Sequence, residues 1–289
     1  VMRHPIGTVE WCLDVSRAMR RQLLKERGRG PDFIEALARG LNVIKAFDAS
    51  APVMSMSELA ASTGLARPTV RRILLTLEEL GYIRSRGQGF SLTPRVVELG
   101  MSYVHSMGLW EIARPHMEEL VAKTGESSSI AQLDGSDIMY VSRVAVPKIV
   151  ALRVVIGTRF PAAATSLGKV LLAYLPPAEV ESLLAEPSRA GVVARRTPPL
   201  PDLLAELEQI RAQGWAITDQ DLAAGIRSVA APLRDASGAV IAALNVNAHA
   251  AETSLDVLRG RHLPHLLATA KAISADFAVR EAVPESDIA

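Results

Sequence analysis

Apolar residues recur at helical spacing twice in close succession near the front of the chain. Residues 58–63 make a short amphipathic stretch with Leu59 and Ala60 turned inward, and Ser57 stands where an N-cap belongs. Gly64 stops it, because glycine takes the left-handed backbone of a sharp turn without strain. Pro68 then opens a second helix, at a position where its missing N–H costs nothing. Val70, Ile73, Leu74, Leu77 and Leu80 supply the apolar stripe of that helix over residues 69–80, and Gly81 ends it. Residues 82–86 and 90–93 flank Gly87-Gln88-Gly89 and predict a β-hairpin. Upstream, Asp32 is the expected cap of a helix reaching Phe47, with Ile34, Leu37, Ala38, Leu41 and Ile44 on its apolar side. Helix, helix, turn, helix and hairpin in this order predict a winged helix-turn-helix over residues 31–93.

Residues 94–106 form another expected helix, in which Val96, Val97, Leu99, Met101 and Val104 spread over more than one face. A helix just outside a small domain needs a partner for such a surface. A second copy of the chain is the simplest one, so a homodimer or homotetramer is expected. Gly108 interrupts the helix, and residues 109–124 resume it. The pattern then alternates. Residues 127–133 and 138–146 read as strands around the turn Asp134-Gly135-Ser136-Asp137, and 149–156 as a third. Thr165 caps a helix over 166–174, followed by helices at 177–185 and 203–213. Strands at 215–218, 228–234 and 240–247 come next, the last two joined by Asp235-Ala236-Ser237-Gly238, and Ser254 caps a long helix to about residue 280. Strands flanked by helices predict an α+β domain over 109–289, joined through a helical linker at 94–108 to the winged domain.

Charge sharpens the reading of the front half. The formal net charge is only +1, so any affinity for DNA must come from local clustering. Arg67, Thr69, Arg71 and Arg72 crowd the start of the second helix, with no acid before Glu78, and Arg84 and Arg86 approach the hairpin tip. A cationic helix start suits the major groove of double-stranded operator DNA, with the hairpin on phosphate or in the minor groove. Residues 1–30 are a basic leader, either a source of non-specific phosphate affinity or an unordered extension. A length of 289 residues suits two domains. The single Cys12 excludes an internal disulfide and fits a reducing cytoplasm, and no apolar run approaches the ~20 residues of a membrane span. His262 and His265 lack Cys or Glu at ligand spacing, so neither a metal nor a cofactor is expected. Gly168-Lys169 ends like a phosphate loop, but Ala163 stands where its first glycine belongs. The remaining alternative is a metabolite-binding protein or enzyme whose winged module makes protein contacts.

Two blocks in the second half resemble a known group. Gly157-Thr158-Arg159-Phe160-Pro161-Ala162-Ala163-Ala164-Thr165-Ser166-Leu167-Gly168-Lys169 is one. Residues 214–247, with Gly225-Ile226-Arg227-Ser228 and Ala231-Pro232-Leu233, are the other. Together with the winged module they are similar to the IclR family of bacterial transcriptional regulators over roughly residues 33–280. Residues 90–100 and Leu109-Trp110-Glu111-Ile112-Ala113 resemble its branch that controls protocatechuate and β-ketoadipate breakdown. The resemblance implies a GAF-like effector domain, dimers or tetramers, and operator binding modulated by a small metabolite. It carries the effector pocket onto Ser166, Leu167, Ser228, Asn245 and Asn247, and Asp219 is a further candidate, equally readable as a solvated turn acid. The chemistry of these residues favours a small carboxylate. A helix N-terminus at 165–169 attracts an anion through free N–H groups. Asn245 and Asn247 share one face of a strand, and their amides need partners from a ligand or from the protein. Arg143, Arg153 and Arg159 are each able to clamp a carboxylate bidentately, and the sequence does not choose among them.

Overall fold

The computed structural model describes residues 30, 32–48, 50–147 and 154–281. Residues 1–29 of the basic leader, Cys12 among them, and Arg153 lie outside the described residues, as does most of the stretch 149–156. The chain divides into two compact units, one up to Ser102 and one from Tyr103 onward.

The first unit holds α1 (Glu35–Ile44), α2 (Met56–Thr63), α3 (Arg67–Glu79) and the hairpin β1 (Ile83–Arg86) and β2 (Gly89–Leu92). Two caps differ from expectation. Asp32 does not cap α1, whose N-cap position is Ile34 with no side-chain bond. Ser55, not Ser57, caps α2. Its Oγ accepts from the Glu58 N–H at 3.3 Å while Glu58 Oε2 accepts from the Ser55 N–H at 2.7 Å. A capping box needs the acid three residues after the cap, which Ser55 has and Ser57 lacks. Gly64 closes α2 at φ 70°. Val43, Leu59, Val70, Leu74, Leu77 and Ile83 meet in a small core that fixes α3 against the other two helices. A further helix, α4 (Val96–Met107), starts two residues later than Pro94, and the boundary between the units falls within it.

Gly108, at φ 59°, separates α4 from α5 (Leu109–Thr124). Arg280 Nη1 donates to the Gly108 carbonyl at 3.2 Å and approaches Glu111 Oε2 at 3.3 Å. A Cβ on residue 108 would lie 2.8 Å from the Arg280 Cζ, the far end of a flexible side chain that can shift, so it is the left-handed turn that calls for glycine there.

The second unit is built on an antiparallel sheet in the order β5-β4-β3-β8-β7-β6. Its strands are β3 (Ser127–Asp134), β4 (Asp137–Val144), β5 (Arg159–Pro161), β6 (Ala216–Asp219), β7 (Ile226–Arg234) and β8 (Val240–His249). β5 was not expected, and residues 154–156 are not strand. Period-2 alternation sorts the residues onto two cores. On one face Val229, Leu233, Leu244 and Val246 pack against Leu109, Met117 and Leu120 of α5 and against Leu266 and Ile273. On the other, Ala230, Ala243, Tyr140 and Phe160 receive Leu167, Val170 and Leu171 of α6 (Ser166–Ala173). α7 (Pro177–Leu184) and α8 (Leu200–Gln213) complete that side. Thr165 caps α6, its Oγ1 accepting from the Gly168 N–H at 3.1 Å. The closing helix is interrupted. Ser254 caps α9 (Leu255–Val257), a π turn occupies Leu258–His262, and α10 (Leu263–Glu281) follows. Pro264 cannot donate into a regular helix, which accounts for an irregular turn just before it. Among the described residues no helix is long and apolar enough to cross a membrane, and no group of three His, Cys, Asp or Glu is placed to hold a metal.

Candidate nucleic-acid interface and effector cavity

α3 buries Val70, Leu74 and Leu77, which turns Arg72 to the opposite side; Arg67 and Arg71 are also exposed, and Thr69 is half-buried. No acid stands in its first turn and no side chain caps it. Among the described residues the ion pairs of this unit include Arg39–Glu35 and Arg95–Glu98. Arg67, Arg71, Arg72 and Arg86 have no acidic partner among the described residues.

The hairpin is fastened to the same helix. Glu78 Oε1 accepts from the Ser85 N–H at 2.9 Å and from Ser85 Oγ at 2.6 Å, and these bonds hold its carboxyl below the usual carboxylate range. Arg84 Nε reaches across the hairpin to Ser91 Oγ at 3.4 Å, whereas Arg86 stands exposed beside the turn. Arg95 Nη1 donates to the Leu80 carbonyl at 3.0 Å and its guanidinium lies over the Tyr82 ring, 5.8 Å from the centroid.

In the second unit the strand register assembles a polar floor. One row of paired residues runs Thr218, Ser228, Asn247, Ser127, and the next runs Ala230, Asn245, Ser129, Arg143. Directly paired residues share a face of the sheet. The start of α6 lies over this face. Ser166 Oγ donates to Ser228 Oγ at 2.8 Å, and Asn245 Nδ2 donates to the same oxygen at 3.1 Å. Asn245 Oδ1 accepts from the Ser129 N–H at 2.9 Å, so this buried amide is satisfied within the protein. The resulting cavity is bounded by Arg143, Ser166, Thr218, Ser228, Asn245 and Asn247, with Tyr140, Val154, Phe160, Leu167, Leu222 and Ile226 as its apolar walls. It measures about 20 Å³, room for about one water.

Among the described residues Arg143 is the cation of this cavity. Its Nη1 donates to Ser129 Oγ at 3.0 Å, and among the described residues it has no acidic partner. Burial lowers its pKa from the ordinary guanidinium value, and the Tyr140 hydroxyl opposes that shift. Burial pushes the Tyr140 phenol up to about 12, so at neutral pH it keeps its proton and remains a donor.

The structure brings Ser166, Leu167, Ser228, Asn245 and Asn247 to one cavity and does not bring Asp219 there. Asp219 accepts from Arg227 Nε at 2.6 Å and Nη2 at 3.3 Å, which holds its carboxyl below the usual range. Thr218 faces the cavity, and on a strand the next residue faces the other way. Of the three arginines left open by the sequence, Arg159 is paired with Asp134. Lys169, the lysine of the apparent phosphate loop, is buried between Glu206 Oε1 at 2.8 Å and Asp221 Oδ2 at 3.2 Å. Tyr140 and Thr218 were missed. The alternation Ala216, Thr218 carried a signal for the latter, but a register irregularity between Ile130 and Ala131 hides which residues of β4 point inward.

Comparison with known proteins bears on both units. A family model for the IclR helix-turn-helix domain matches residues 36–87, and one for the C-terminal part of IclR bacterial transcriptional regulators matches residues 101–275. The Pca regulon regulatory protein of Pseudomonas putida is 40% identical over 245 residues, covering 83% of each chain. A crystal structure of a transcriptional regulator from Rhodococcus sp. RHA1 is 46% identical, with a TM-score of 0.74, and covers 86% of this chain and 100% of its own. The inducer-binding domain of a double mutant of the Acinetobacter PobR transcription factor, solved with 3-hydroxybenzoic acid, is 25% identical with a TM-score of 0.52. It covers 57% of this chain and 97% of its own. The matched families are regulators of transcription, which sets the enzyme reading aside. With the helix-turn-helix and an α+β unit matched over nearly its whole length, the chain belongs to the IclR family of bacterial transcriptional regulators and is similar to its Pca-regulon branch.

Proposed function

We propose that this regulator binds operator DNA as a homodimer and that a small aromatic carboxylate, held by Arg143 in the cavity of the second unit, sets its affinity for the operator. The carrying observation is Arg143 itself. A half-buried guanidinium with no carboxylate beside it among the described residues is unfavourable, and an anionic ligand supplies the missing charge. Tyr140, Thr218 and Asn247 offer neutral hydrogen-bonding groups, and Phe160, Leu167 and Leu222 offer apolar surface for a ring. β-Ketoadipate needs a second cation. Among the described residues Arg159 and Lys169 are both committed to acids, and Arg143 alone matches the single carboxylate of an acid such as protocatechuate. The hydroxybenzoic acid bound to the PobR domain is of the same class. A ring does not fit in about 20 Å³, so the ligand binds a wider state, and that preference is what couples it to DNA.

On the DNA side, Arg67, Thr69, Arg71 and Arg72 of α3 reach base edges and flanking phosphates, and Arg86 touches phosphate from the hairpin. Arg84, bonded across the hairpin, serves mainly to position it. An apolar groove of about 530 Å³ runs between α1 and α3, with Leu37, Leu41, Ile73, Leu80 and Leu99 among its walls; Val97 is exposed nearby in sequence. Thr69 and Arg72 also line this groove, so it stays open to DNA, and a second copy packs instead on the exposed Val97 side of α4, placing two recognition helices on a palindromic site.

Calorimetry on the full chain tests the effector reading. Protocatechuate binds, and Arg143→Met weakens it by about tenfold to a hundredfold, the worth of a charge-assisted hydrogen bond. Undiminished binding to the variant removes Arg143 from the site. Tighter binding of β-ketoadipate than of protocatechuate overturns the singly charged ligand.

A further inference from the structure

We propose that the loop joining β6 to β7 is the gate of the cavity and that Lys169 is its latch. The proposal rests on the cavity being the effector site. The loop carries the cavity wall on its inner side, where Leu222 is buried and Thr218 and Ile226 flank it, and shows Ala224 to solvent on its outer side. With about 20 Å³ inside, an aromatic acid enters only when part of the wall moves.

The loop is built to move as one piece. Its base is fastened by the two hydrogen bonds from Arg227 to Asp219, and by the Gln220 N–H donating to the Ile226 carbonyl at 2.7 Å. It closes on itself where the Gly225 N–H donates to Gln220 Oε1 at 3.1 Å. Gln220 sits at φ 62°, the only non-glycine in that region among the described residues. Such a conformation is disfavoured for a side chain of this kind and persists only where its surroundings impose it.

At the far end of the loop the Ala250 N–H donates to the Gly225 carbonyl at 2.8 Å, which serves as a hinge. The Arg195 and Arg196 N–H groups donate to the Leu222 and Asp221 carbonyls at 3.1 and 2.8 Å, and Arg196 Nη1 stands 4.0 Å from Asp221 Oδ1. The charged tie on the inner side is Lys169 Nζ to Asp221 Oδ2, at 3.2 Å. Lys169 lies on α6, two residues beyond Leu167 of the cavity wall, so one helix carries both the wall and the latch. The contact can open without stranding a charge. Glu206 Oε1, at 2.8 Å, keeps the ammonium paired while the Asp221 carboxylate turns toward water.

Stopped-flow mixing of protocatechuate with the full chain tests the gate. A latch that acts in transit, whether or not the ligand is inside, speeds entry and exit together when it is loosened. Asp221→Asn should therefore raise association and dissociation rates in parallel, by about tenfold, with little change in affinity. Glu206→Gln, which leaves the Lys169–Asp221 contact in place, should keep both rates near those of the unaltered protein. Unchanged rates in Asp221→Asn, or faster dissociation alone, overturn the proposal. A variant that is merely less stable lowers the melting temperature without moving both rates together. If Asp221→Asn does not fold, hydrogen exchange on the unaltered protein decides. Weaker amide protection at 220–225 than in β7 and β8 supports the gate, and equal protection overturns it. Arg143→Met separates the two readings, since its failure to weaken binding condemns the site itself, whereas failure of Asp221→Asn alone condemns only the gate.

Discussion

Gly168→Ala places a methyl group where the structure has no room for one. α6 begins against the 3-10 turn Ala162–Ala164, and a Cβ on residue 168 would lie 2.2 Å from the Ala162 carbonyl oxygen, 2.4 Å from its Cα and 2.6 Å from its carbonyl carbon. These are backbone atoms, so no side chain can swing aside. Restoring ordinary contact requires the helix start and the turn to separate by about 1 Å. That shift strains the Thr165 cap, whose Oγ1 holds the Gly168 N–H at 3.1 Å, and the 2.8 Å bond from Ser166 to Ser228. Overpacking of this kind costs about 1–3 kcal/mol, and a lost cap costs about 1 kcal/mol. Alanine returns up to about 1 kcal/mol in helix propensity. The net loss of about 1–3 kcal/mol lowers the melting temperature by roughly 2–12 °C in a chain of this size. Circular dichroism melts and calorimetry with protocatechuate read the two consequences, lower stability and weaker effector binding. A variant that melts with the unaltered protein and binds the acid equally well refutes the idea that the close approach of residue 168 positions the cavity.

Other expectations follow from the same geometry. Arg72→Ala weakens specific operator binding more than non-specific binding, by about 1–3 kcal/mol if its contact is bidentate to guanine, as gel retardation at fixed salt will show. Arg86→Ala weakens both alike and flattens the salt dependence by about one phosphate contact. Val97→Glu yields monomers in sedimentation while the second unit keeps its melting transition; an unchanged oligomer removes that part of α4 from the interface. Asp219, held below the usual carboxylate range chiefly by its hydrogen bond from Arg227, stabilises the fold above the ordinary aspartate pKa of about 4 and loses that contribution as pH falls through its lowered value. The difference in melting temperature between the unaltered protein and Asp219→Asn is therefore full near neutrality and shrinks below about pH 4.

The winged unit was legible because each of its signals is local. Gly64, Pro68, Gly81 and the stripe from Val70 to Leu77 each report on their own few residues. Where a local rule offered two candidates it misled, as with Ser57 against Ser55, and only the position of Glu58 distinguishes them. The cavity was legible by half. Asn245 and Asn247 share a face through simple alternation, whereas the arrival of Ser228 on that face, the partners of Asn245 and the pairing of Asp219 with Arg227 depend on which strands lie side by side. The choice of Arg143 over Arg159 depended on a carboxylate at Asp134, brought to Arg159 by the β3–β4 turn and the short β5 that no periodicity announced.

The clasp of Arg280 on Gly108 has a consequence for the order of synthesis. The two residues are 172 positions apart. At about 5–20 residues per second a ribosome takes roughly 10–35 s to cover that distance. The winged unit leaves the exit tunnel early and carries its whole core within residues 43–83. For that interval a nascent chain has a folded DNA-binding unit but an unfastened junction between α4 and α5, because its clasp has yet to be made. Losing the end of α10 to a premature stop or a protease would leave the protein in the same condition permanently. Such a protein would keep the whole core of its winged unit, but the turn between α4 and α5 would be held without its clasp.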